Sequence, residues 1–105
     1  DTIARLYHSG LTIDSVVTSD DSLAVGALKF ALSNQLSVPG DISIVGYNNS
    51  ILATCAEPEL TSVDTKVQNL CIHTVKSLMS IFNGYNVPAR TILSADIVYR
   101  KTTNI

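Results

Sequence analysis

Two polar clusters in this chain could do chemistry, Asp20-Asp21 and Asn48-Asn49. Each follows a β-rich run, Ser15 to Thr18 in the first case and Ile42 to Tyr47 in the second. A carboxylate accepts hydrogen bonds, whereas a primary amide both donates and accepts. Asp20 and Asn48 on neighbouring strand ends would therefore suit the hydroxyls of a neutral polyol such as a sugar. A helix N-terminus favours anions, but two carboxylates placed there would repel one. Local alternatives stand beside this reading. Ser19-Asp20-Asp21-Ser22 is also a helix-start cluster, with side chains that accept free N–H groups. Asn48-Asn49 is also a turn, since Asn tolerates the left-handed region.

The remaining reactive side chains suggest no catalyst. His8 and His73 stand alone, without carboxylates or thiols at ligand spacing, and no metal site is expected. Cys55 and Cys71 form neither a C-x-x-C nor a zinc pattern and read as reduced, mostly buried thiols, which suits the cytoplasm. No G-x-S-x-G, G-x-G-x-x-G or P-loop occurs, so no nucleophile–base pair and no cofactor is expected, and the chain is not read as an enzyme. The net charge is −2 and the basic residues are scattered, which leaves no electrostatic footprint for nucleic acid. No apolar run approaches the roughly 20 residues of a membrane span.

The elements that must position these groups can be read from periodicity. Ile3 to Tyr7 reads as the end of a helix stopped by Gly10, and Val16-Val17 centres a short strand. A helix is expected from Ser22 to Asn34, with Leu23, Ala24, Ala27, Leu28, Ala31 and Leu32 on one face and Val25 on the polar side. Ile42 to Tyr47 carries apolar residues on both faces, as a parallel strand covered on both sides would. Ser50 to Glu59 reads as irregular, and Leu60 to Asp64 as a strand. Thr65 to Asn83 is the clearest helix, with Thr65 and Gln68 as a capping box and an apolar stripe from Val67 to Phe82. Thr91 to Tyr99 reads as a last strand. The order α-β-α-β-β-α-β indicates an α/β sheet.

The chain of 105 residues makes one small domain, 46% apolar and only 15% charged. An ordinary soluble domain is about 25% charged. That shortage implies apolar surface covered by a partner or by further chain. Ile51, Leu52, Ala53, Cys55 and Ala56 are either a small core under their loop or, with Val25, a subunit contact. Because it opens on Asp1 inside a helix-like pattern, the sequence reads as a fragment.

Four ordered motifs extend these readings. Asp20-Asp21-x-x-Ala24-x-Gly26, Val38-Pro39-x-Asp41-Ile42-Ser43-Ile44-Val45-Gly46-Tyr47-Asn48-Asn49, Pro58-x-Leu60-Thr61-Ser62-Val63 and Arg100-Lys101-Thr102-Thr103 together resemble the effector-binding domain of the LacI/GalR family of bacterial transcription regulators. The resemblance implies a partial doubly wound parallel sheet of the periplasmic-binding-protein-like type I fold. Residues 1–64 and 95–105 would belong to the C-terminal subdomain and residues 65–94 to the other. It implies a cytoplasmic regulator that senses a small metabolite, with a sugar expected, and acts as a homodimer. Operator DNA would be bound through a helix-turn-helix domain outside this chain. A periplasmic sugar-binding protein of a transporter is the alternative on the same fold.

By the same resemblance the ligand-gripping positions fall on Asp20 and Asn48, leaving Asp21 to cap the helix. The family usually has Asp at the second position, so Asn48 departs from it by adding a donor and losing a charge. Val25, Ile51, Leu52, Cys55 and Ala56 fall on the dimer interface. The Thr65–Asn83 helix would lack its usual partner subdomain, and is expected to pack on its own sheet or against another copy. Its apolar side chains, at about 1.5–3 kcal/mol each, are costly to leave in water.

Overall fold

Short β-branched segments and one alanine-rich helix build the core. In the computed structural model, which describes residues 2–104, β1 (Ser15–Val17), β2 (Ser43–Tyr47), β3 (Thr61–Asp64) and β4 (Asp96–Val98) form one sheet in that order. Asp1 and Ile105, the outer ends of the expected C-terminal subdomain, lie outside the described residues. β1, β2 and β3 run parallel, with Val16 beside Ile44 and Val45 beside Thr61, and β4 returns antiparallel. The helices are α1 (Thr2–His8), α2 (Asp21–Ser33), α3 (Ile51–Cys55) and α4 (Val67–Phe82). This is the expected α/β architecture.

α2 lies on the sheet because its small residues permit close approach. Ala24, Ala27, Leu28 and Ala31 join Ile42, Ile44, Ala53 and Leu60 in one buried cluster. Along β2, Ile44 and Gly46 are buried while Ser43 and Val45 are only half-buried. The expectation of cover on both faces is therefore corrected: α2 seals one face, and the other stays partly open.

Five further expectations change, four in the elements and one at the cysteines. Within the stretch read as irregular, Ile51 to Cys55 makes one helical turn, which seats Ala53 in the core. The Thr65/Gln68 capping box does not form: Lys66 is the N-cap, left-handed at φ 52°, and its N–H bonds Asp64 Oδ1 at 2.8 Å. Residues 91–95 stay out of the sheet because β3 ends at Asp64, opposite Asp96, and offers them no partner. Finally, no residue of α4 is buried, so the helix does not pack on its own sheet, and the molecule reaches 59 Å along its long axis. Both cysteines are exposed rather than buried. Cys55 sits at the outer end of α3, and Cys71 lies on the uncovered α4.

Candidate functional site

Asp20 and Asn48 meet at the carboxyl rim of the sheet, where open α/β folds bind ligands. Asp20 follows β1 with an extended backbone, φ −160° and ψ 150°, as an N-cap requires. Its Oδ1 accepts the Ser22 N–H at 2.8 Å, and its Oδ2 accepts the Asn48 amide at 3.2 Å. The Thr18 hydroxyl donates to the Asp20 carbonyl at 2.8 Å and fixes the turn between strand and helix. On the other side, Asn48 leaves β2 at φ 91°, while its N–H donates to the Val63 carbonyl at 2.9 Å. The Asn48 side chain is exposed, so the pair opens to solvent.

The two aspartates do not divide their work as expected. Asp20 both caps α2 and faces the rim. Asp21, expected to cap, is 1% exposed and points into the protein. Its Oδ2 accepts the Ser50 N–H at 2.6 Å and the Ser50 hydroxyl at 2.8 Å, and its Oδ1 accepts the Ser62 hydroxyl at 2.6 Å. It thereby joins the start of α2 to the start of α3 and to β3. Asp20 is held below the usual carboxylate range, first by the Ser22 hydroxyl and then by the Ser22 N–H. Desolvation opposes this, and the Asn48 amide adds to it.

Beside the rim is a cleft of about 400 Å³ lined by Asn48, Asn49, Asp64, Lys66, Gln68 and neighbours on α4. Lys66 Nζ lies 2.6 Å from Asp96 Oδ2, pairing the start of α4 with the start of β4. The sequence pattern pointed to Gln68 only as part of a helix cap and to Lys66 not at all, yet both line this cleft. A larger cleft of about 640 Å³ between α1, β1 and α2 has mostly apolar walls, including Ile3, Leu6, Leu11 and Val17, and includes neither Asp20 nor Asn48. The polar rim, not the larger volume, has the chemistry for a hydroxylated ligand.

The proposed interface residues lie elsewhere. Ile51, Leu52 and Cys55 are exposed on α3, with Ile51 at 74%, whereas Val25 and Ala56 are half-buried. Among the described residues no group of His, Cys, Asp and Glu could hold a metal ion, and no helix is long and apolar enough to cross a membrane.

Residues 4–103 match the family described as periplasmic binding protein-like domain. An HTH-type transcriptional regulator of Lachnoclostridium phytofermentans is 50% identical over 94% of this chain and 30% of the relative. The lactose operon repressor of Escherichia coli K12 is 28% identical over 94% of this chain and 28% of the relative. Among solved structures, a lac repressor dimer bound to operator and an anti-inducer superposes with TM-score 0.89 at 28% identity, covering 94% of this chain and 35% of that one. A complex of the transcriptional regulator CelR with cellobiose gives TM-score 0.81 at 27% identity, covering 88% and 28%. The chain thus spans less than a third of the length of these two curated relatives.

Proposed function

The chain belongs to the periplasmic-binding-protein-like domain family in its LacI/GalR-type branch, and from that premise we propose that it is the ligand-binding and dimerisation part of a transcriptional regulator sensing a neutral sugar. The observation that carries this reading is the 3.2 Å contact between Asp20 and Asn48 at an open rim. Asp20 offers acceptors to sugar hydroxyls, while Asn48 offers both a donor and a carbonyl acceptor. Two carboxylates at that distance would repel each other. The Asn48 amide instead satisfies Asp20 until a hydroxyl replaces it. The cellobiose complex of a structural relative supports the ligand class.

Residues 1–64 and 95–105 form one subdomain in this proposal, and residues 65–94 belong to the other. The uncovered apolar face of α4 supports the division. Ligand between the subdomains would favour a closed arrangement, and the dimer formed through Val25, Ile51, Leu52, Cys55 and Ala56 would shift with it. Operator DNA would be bound by a domain outside this chain, placing the protein in the cytoplasm. The relatives' names favour a regulator over a transport protein or an enzyme.

The test is ¹H–¹⁵N NMR titration with cellobiose, lactose, galactose and an anionic control, glucose 6-phosphate. NMR detects the weak binding of a half-site. A neutral sugar should shift the amides of residues 19–22 and 48–50, and Asn48→Ala should abolish the shifts. Shifts equal in size in Asn48→Ala, or none with any neutral sugar, refute the proposal.

A further inference from the structure

Asn48 and Asn49 are consecutive residues with positive φ, 91° and 47°. Such backbone costs a non-glycine residue about 1–2 kcal/mol and persists only where its surroundings hold it. Among the described residues the Asn48 side chain makes one hydrogen bond, to Asp20, so its aim is set by the backbone of this tip. What holds the tip therefore sets the geometry of the site.

Two groups grip Asn49. Its N–H donates to Ser62 Oγ at 3.0 Å, and its Oδ1 accepts from Arg100 Nη2 at 2.7 Å. Arg100 is itself fixed. Nη1 donates to the Leu60 carbonyl at 2.8 Å, and its backbone N–H to Thr61 Oγ1 at 2.8 Å. The segment behind it is stitched into the sheet, with Thr102 Oγ1 donating to the Ile44 carbonyl at 2.6 Å and accepting the Thr61 N–H at 2.9 Å. Thr102 is wholly buried. Among the described residues Arg100 forms no ion pair with a carboxylate, so its rigid fork is spent on two neutral oxygens, one of them at the tip.

We propose that Arg100 is the positioning residue of this site: by holding Asn49 it fixes the tip that presents Asn48 to Asp20 and to ligand. The proposal rests on the reading of Asp20 and Asn48 as the gripping pair, but its test needs no ligand. Arg100 spans from the start of β3 to the turn after β2, so the aim of Asn48 is referred to the sheet rather than to a free loop. A guanidinium is suited to this because one planar group serves both acceptors at once.

The experiment measures the NOE between the Asn48 side-chain amide protons and Asp20 Hβ in the ligand-free protein. Arg100→Met keeps the stem and removes the fork, and the NOE should fall at least fivefold. Asn49→Gly, permissive at φ 47°, removes the acceptor and should give the same loss. Asn49→Asp keeps an acceptor and should retain the wild-type intensity. Thr102→Val removes a buried tie without touching the tip; it should lower Tm yet keep the NOE. Wild-type intensity in folded Arg100→Met overturns the proposal. If that variant does not fold, wild-type intensity in Asn49→Gly does so. An equal loss in Thr102→Val also overturns it, since Arg100 would then be acting through general stability. Failure of the sugar reading would show separately, as absent shifts in the titration.

Discussion

Gly46→Ala should be among the most damaging single-methyl changes in this protein. Gly46 is buried in β2, directly over Asp21. A Cβ built there overlaps Asp21 Oδ1, lies 3.2 Å from Asp21 Cγ and 2.8 Å from Leu60 Cδ2. Leu60 is wholly buried and has little room to retreat. Asp21 cannot swing aside without releasing Ser62 at 2.6 Å or Ser50 at 2.6 and 2.8 Å. Overpacking of a tight core costs about 1–3 kcal/mol. Losing one hydrogen bond to a charged acceptor costs about 1.5–3 kcal/mol more. Together these give roughly 3–5 kcal/mol, a large share of the 5–15 kcal/mol typical of a domain. Urea unfolding followed by circular dichroism should show the midpoint falling by on the order of 2 M. Asp21→Ala should itself destabilise, by stranding the Ser50 and Ser62 donors. In the double variant the new methyl enters vacated space, so the two costs should fall short of additivity by at least about 1 kcal/mol. A Gly46→Ala cost below about 1 kcal/mol, or strict additivity, would refute the reasoning.

Two further outcomes follow from the surface. If the proposed dimer forms, Val25→Asp or Ile51→Asp should convert it to monomers by light scattering, since each sets a charge on the α2–α3 face; an unchanged mass would remove these residues from the interface. Asp41 is held below the usual carboxylate range by the Ser37 N–H and then the Ser37 hydroxyl, with desolvation opposing. A carboxylate depressed in the folded state stabilises fully above its unfolded value, about 3.9, and loses that contribution as pH falls through its folded value. Asp41→Asn should therefore narrow the Tm difference between pH 7 and pH 3, and an equal or wider gap would contradict the assignment.

Those parts of the fold that rest on local chemistry were legible in the sequence. Small residues at helical spacing gave α2, and β-branched runs gave β1, β2 and β3, each within a residue or two. The meeting of Asp20 with Asn48 followed from parallel neighbours in register. Features that depend on distant chain were not legible. The length of β4 is set by where β3 stops, and α4 stays exposed because nothing among the described residues buries any part of it. Its stripe from Val67 to Phe82 reads the same whether covered or bare, because periodicity records which face needs a partner and not whether one is present. Arg100 stood in a visible motif, yet its acceptor Asn49 is 51 residues away, and no spacing rule joins them.

The exchange of roles between Asp20 and Asp21 shows the limit most sharply. Adjacent identical side chains cannot be told apart by type, and either could cap α2. The decision comes from geometry at the strand end. Extended backbone at Asp20 keeps its carboxylate outside the helix, where one oxygen reaches the Ser22 N–H and the other the rim. Asp21, one residue on, already follows the helical turn inward, toward Gly46, Ser50 and Ser62. Burying a carboxylate there is tolerable because three donors meet it. Those donors in turn come from two places, Ser50 at the N-cap of α3 and Ser62 in β3. One dipeptide thus serves both the rim proposed to hold sugar and the helix proposed to meet a partner subunit.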